Sequence, residues 1–151
     1  MEYRMYCLSE RHLSGIQKAI QAAHAIVEYG MHYIGTEEYR QWGNQDKTII
    51  VLDGGAVQNM MYIVDTLNDI KIPFATFKEP DLGWVLTSIA FLADEQVWDA
   101  KTYGRSYEHY QLMCEDDPDL PKWNHDEWVK AIGGKTNEIL KKLIFSLKLA
   151  I

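Results

Sequence analysis

Cysteine is scarce: two residues in 151, Cys7 and Cys114, far apart in the chain and with no C-x-x-C pair. That excludes a disulfide scaffold or a cysteine zinc site and predicts free thiols. Proline is equally rare, four residues, so no polyproline or low-complexity linker divides the chain. No window reaches the ~18 uninterrupted apolar residues of a membrane span. The segment Met1 to Leu8 also carries Glu2 and Arg4, so it does not resemble a secretory leader, and a cytoplasmic protein with no membrane partner is expected. Basic charge is the last deficit. Fifteen Lys plus Arg stand against 22 Asp plus Glu, a net charge of −7, which argues against broad binding of phosphate backbones.

What is present fits one globular domain, with 47% hydrophobic and 25% charged residues. A chain of this length buries roughly 70% of its unfolded surface, so its core needs no metal. Glu2 to Leu8 reads as a first strand. Ser14 is a suitable N-cap for a helix through Tyr33, in which Ile16, Ala19, Ile20, Ala23, Ile26, Val27 and Gly30 recur at three- and four-residue spacing and predict the core-facing side. The β-branched run Thr48 to Leu52, ahead of Asp53-Gly54-Gly55, predicts a central strand covered on both faces. Val57 to Ile70 reads as a second helix. Phe74 to Lys78 and Val85 to Ala93 read as two strands that pair antiparallel across a tight turn.

That order predicts an α/β fold, a three-layer sandwich with a four-stranded mixed sheet flanked by helices. Residues 1–151 form a single domain in this reading. An aromatic and acidic insertion at about 95–134 precedes a C-terminal helix from Lys135 to Ala150. The insertion holds Tyr103, Tyr107, Tyr110, Trp123 and Trp128, which suit either a small satellite core or a partner surface. His125, Asp126 and Glu127 with Asp116, Asp117 and Asp119 lack the spacing of a metal site and read as a hydrated loop. Asp53-Gly54-Gly55 reads as an ordinary turn, since no phosphate-loop glycines or lysine follow.

The chemistry-bearing pattern lies on the first helix. At about 100° per residue, Gln17, Gln21, His24 and Glu28 fall within roughly 60° of one another and form one polar stripe. A histidine flanked by an amide and a carboxylate can be oriented as an acid, base or hydrogen-bond donor. The stretch Ser14-Gly15-Ile16-Gln17-Lys18-Ala19-Ile20-Gln21-Ala22-Ala23-His24-Ala25 resembles the first-helix motif of type-2 peptidyl-tRNA hydrolases, G-K-x-x-A-Q-x-x-H-A, with Gln21, His24 and Ala25 in register. Glu79-Pro80-Asp81-Leu82 and Thr87-Ser88-Ile89-Ala90 are similar to the E-P-D-L and T-x-I-A segment of divergent members.

The resemblance covers residues 1–94 in element order and extends to the terminal helix, and it implies hydrolysis of the ester between an N-blocked aminoacyl or peptidyl group and the tRNA 3′ end, without a cofactor. Carried over position by position, it implies His24, Glu79, Asp81 and Thr87 as the catalytic set, with Glu79 or Asp81 supplying the acid and Thr87 the hydroxyl. Gln17, Lys18, Gln21 and Lys78 would contact the substrate, with Gln17 standing where the family has lysine and Lys18 beside it. Peptidyl-tRNA is then the partner, and a homodimer is open to such a protein. The alternative is a non-catalytic protein-binding module on the same fold, contacting a protein through residues 103–128 of the insertion.

Overall fold

A computed structural model describes residues 1–150; Ile151, the last residue of the expected domain, lies outside the described residues. By their internal contacts the described residues divide into two compact units, residues 1–93 with 147–150, and residues 94–146.

The first unit is the α/β part. Its strands are β1 (Tyr3–Glu10), β2 (Ile49–Gly55), β3 (Ala75–Glu79) and β4 (Val85–Asp94), the last of which runs one residue past the boundary. They form one open mixed sheet in the order β2-β1-β4-β3, with β1 parallel to β2 and β3 antiparallel to β4. Helix α1 (Gly15–Tyr33) makes the parallel crossover and packs on β1 and β3. Helix α3 (Val57–Asp69), which follows a single helical turn, α2 (Glu37–Gln41), packs on β2 and β1. Successive side chains of β1 point to opposite faces. Met5 and Cys7 join Ala22, Ala25 and Tyr29 of α1 in one core cluster. Tyr6 and Leu8 face the other way, where Tyr6 stacks on Phe91. The sandwich is therefore as expected from the order of elements.

The crowded crossing of β2 and α3 explains the glycines after Asp53. A Cβ on Gly54 would overlap the Met60 side chain of α3 and lie 3.3 Å from Leu8 Cβ and the Ser9 carbonyl. Gly55 has φ +83°, a left-handed conformation that costs other residues about 1–2 kcal/mol.

Two expectations are corrected. The apolar run of β2 suggested a central strand, but β2 is the outer strand beside β1, and Ile49 is exposed. Its outer edge is partly covered by residues 148–150. The Asp53 amide donates to the Lys148 carbonyl (2.8 Å), the Ala150 amide donates to the Val51 carbonyl (3.0 Å), and Leu52 bridges Leu149 antiparallel. This pairing satisfies backbone that a true edge would leave open, in keeping with the uncharged run Ile49 to Leu52.

The second correction concerns α1. Ser14 caps it as expected, with Ser14 Oγ accepting from the Gln17 amide and the Gln17 side chain accepting from the Ser14 amide. The face turned inward, however, carries Gln21, Ala22, Ala25, Tyr29 and Gly30. Ile16, Ile20 and Val27, read from the sequence as core, are exposed. Small alanines and one tyrosine fill the close helix–sheet contact where branched side chains of the other stripe would not fit.

The second unit is helical: α4 (Glu95–Trp98), α5 (Ala100–Tyr103), α6 (Tyr107–Asp116), α7 (His125–Ala131) and α8 (Lys135–Ser146). Helix α8 ends before Leu147 and packs on α4 and α7. Tyr110, Trp128 and Ile132 form the buried centre of this unit, with Tyr103, Tyr107 and Trp123 around them. The aromatics thus make a satellite core. Their polar ends are satisfied too, since Tyr110 Oη donates to the Pro121 carbonyl (2.6 Å) and Trp128 Nε1 to the Tyr103 carbonyl (2.8 Å). Among the described residues, no helix is long and apolar enough to cross a membrane.

Candidate functional site

Three side chains from three elements meet where β3 ends. Gln21 lies on the inward side of α1, Glu79 is the final residue of β3, and Thr87 is the third residue of β4. Thr87 Oγ1 donates to Gln21 Oε1 (2.6 Å), and Gln21 Nε2 donates to Glu79 Oε2 (2.7 Å). Thr87 Oγ1 also lies 3.3 Å from the Phe77 carbonyl. A buried amide can bridge a hydroxyl and a carboxylate in this way only in one orientation, with its oxygen to the donor and its nitrogen to the acceptor. The network fixes all three groups.

A bulge places Thr87. Phe77 pairs with Ser88 and Lys78 with Leu86, which leaves Thr87 as the extra residue opposite the Phe77–Lys78 step. Such an insertion re-aims a side chain locally, and here it directs the Thr87 hydroxyl toward α1. Thr87 is buried. The neighbouring Ser88 is fully buried as well, and its Oγ has no hydrogen-bond partner.

Glu79 is held ionised. The Gln21 side-chain donor and then the Asp81 backbone amide (3.3 Å to Oε1) keep its carboxyl below the usual range against the opposing effect of desolvation, and nearby His24 adds a smaller lowering effect. The same Asp81 amide makes Glu79 the N-cap of the short 3₁₀ turn Pro80–Leu82, so the turn and the carboxylate brace each other.

His24 stands one helical turn beyond Gln21. Its ring is exposed and lies flat on Phe77, with centroids 4.3 Å apart and planes 12° apart. The alternation of β3 turns Phe77 and Glu79 toward α1 and Lys78 to the opposite face.

The remaining sequence-predicted residues are more dispersed. Asp81 contributes its backbone amide, while its own carboxylate is exposed. Gln17 is engaged in the α1 cap. Lys18 is half-buried near the end of β1, where its carbonyl accepts from Ser9 Oγ (3.4 Å) and its charge helps lower Asp53. Lys78 lines a groove on the other face of the sheet with Thr76, Met61 and Trp84.

Two histidine–carboxylate pairs escape sequence reading. His12 Nδ1 lies 2.6 Å from Glu10 Oε1, and Glu10 is buried at the end of β1. His125 Nε2 lies 2.7 Å from Glu138 Oε2 in the second unit, beside a cleft of about 400 Å³ that Arg105, Trp128 and Lys142 also line. The first pair is separated by one residue at a strand end, where no helical or strand period applies. The second joins residues of α7 and α8 and leaves no local signature.

Comparison with protein-family models and with curated proteins finds no match.

Proposed function

We propose that the protein hydrolyses the ester between an N-blocked aminoacyl or peptidyl group and the 3′ end of tRNA. The observation that carries the reading is the Thr87–Gln21–Glu79 chain, because these residues are far apart in sequence and each belongs to the set that the resemblance implies. They meet in one hydrogen-bonded network with His24 at its exposed border.

The chemistry follows from the arrangement. Glu79 accepts the proton of an attacking water whose oxygen adds to the ester carbonyl. The bond to the ribose oxygen then breaks, and His24, open to solvent, donates the proton that the leaving oxygen needs. Gln21 and Thr87 act as positioning residues, orienting the carboxylate and holding its charge. Asp81 sets the turn beneath it. Lys18, near the start of α1, supplies a contact to the nucleic acid, whereas Lys78 lies on the opposite face of the sheet and the Gln17 side chain is held in the α1 cap; with net charge −7 such contacts are weak at high salt.

Release of labelled N-acyl-amino acid from N-acyl-aminoacyl-tRNA at low salt tests the reading. Wild type turns over, His24→Ala and Glu79→Gln lose about 10²-fold or more, and circular dichroism shows both variants folded. Absence of wild-type turnover overturns the hydrolase and favours the non-catalytic binding module.

A further inference from the structure

The outward side of α1 is apolar along its whole length. Ile16, Ile20, Val27, Met31 and Ile34 are exposed at 74%, 49%, 61%, 77% and 66%, and the exposed Ala23 lies among them. At about 100° per residue these six fall within roughly 80° of one another, diametrically opposite Gln21, Ala22, Ala25 and Tyr29. No charged residue interrupts the arc. The five larger side chains leave on the order of 600 Å² bare, at the upper limit for a soluble monomer and most of the ~800 Å² per partner that a stable complex covers.

The order of residues along the stripe is nearly the same read in either direction. Ile16 and Ile34 are equidistant from Ala25, as are Ala23 and Val27, while Ile20 and Met31 match within one residue. Two such helices laid antiparallel therefore set Ile16 against Ile34, Ala23 against Val27 and Ile20 against Met31, large against large at the ends and small against medium at the centre. The small Ala23 lets the two backbones approach closely at the midpoint. A surface that complements its own reverse is what an isologous two-fold contact requires, and a foreign partner imposes no such symmetry.

We infer that α1 pairs with α1 of a second copy of this chain, antiparallel across a two-fold axis between Ala23 and Val27. The pairing covers the apolar stripe and leaves His24 at its border.

Light scattering during size exclusion, run from micromolar to near-millimolar concentration, tests the pairing. Wild type has twice the mass of one chain. Val27→Glu, at an exposed position, keeps the wild-type circular dichroism and has the mass of one chain. Leu112→Glu, a control on the exposed surface of α6, remains a dimer. Adding Ala23→Lys to Val27→Glu sets Lys against Glu twice across the axis and restores the dimer at low salt. A monomeric wild type at every concentration, or a dimer indifferent to Val27→Glu, overturns the pairing. Failure of the double variant to recover overturns the antiparallel register.

Discussion

Gln21 is the residue on which the candidate site turns. Its amide is the largest influence holding Glu79 below the ordinary carboxylate range. Replacing it with leucine removes that donor, so the Glu79 pKa rises toward the value of a free glutamate. Carbon-detected NMR titration of the Glu79 carboxyl in wild type and Gln21→Leu measures this directly, without an activity assay. If Glu79 is the base, the acid limb of the rate profile moves to higher pH by the same amount. Thr87 offers a stability test. Thr87→Val keeps the shape of a buried residue but leaves Gln21 Oε1 without its donor, and costs about 1–3 kcal/mol in urea unfolding. Gln21, His24 and Glu79 are legible in the sequence because a helical stripe and a turn carry them. The role of Thr87 depends on a bulge, and nothing in the alternation of β4 announces the extra residue.

At the scale of elements, the strands and helices of the first unit follow from periodicity, and the antiparallel β3–β4 pair follows from the turn chemistry of Glu79 to Gly83. Which face of α1 turns inward does not follow. Two apolar arcs compete on that helix, and the more hydrophobic one, Ile16, Ile20 and Val27, points outward. Hydrophobicity ranks residues by their transfer from water, whereas close packing on a sheet selects by size, and here size decides. The central position expected for β2 fails for a related reason. A continuous apolar run records that a strand is covered, and the cover of its outer edge comes from residues 148–150, which no local window contains. Packing at this edge gives another prediction. Gly54→Ala forces a methyl group against Met60 and the backbone of Ser9, so it lowers stability by about 1–3 kcal/mol, read as a lower urea midpoint at unchanged slope.

At the scale of the whole molecule, the second unit is stabilised around a buried lysine as well as around aromatics. Lys141 Nζ donates to the carbonyls of Val97 and Gly104, each at 2.8 Å, and its pKa is pulled down to about 8 by desolvation, against the opposing charges of Asp99 and Asp94. Between about 8 and the ordinary lysine value of 10.5 the unfolded chain retains a proton that the folded unit has released. Stability from this residue is therefore flat below pH 8 and rises with pH across that window, by at most about 1.4 kcal/mol per unit. Lys141→Met abolishes the slope. Urea unfolding followed by the fluorescence of Trp123 and Trp128, on both sides of pH 8, compares the two. Burial pushes the Cys7 thiol up to about 12, so of the two free cysteines only Cys114 reacts with iodoacetamide in the native protein.

The pairing of β2 with residues 148–150 also sets an order of events during synthesis. The partner of the Val51–Asp53 edge is translated after the entire second unit. At roughly 5–20 residues per second, the ribosome exposes β2 for about 5–20 seconds before that partner emerges. Through this interval the nascent sheet presents an apolar edge, Ile49 to Leu52, whose free backbone groups can pair with another chain. Holdase chaperones and slow-translating codons would act on this interval, and a ribosome stalled short of residue 148 would display the chain in its most aggregation-prone form.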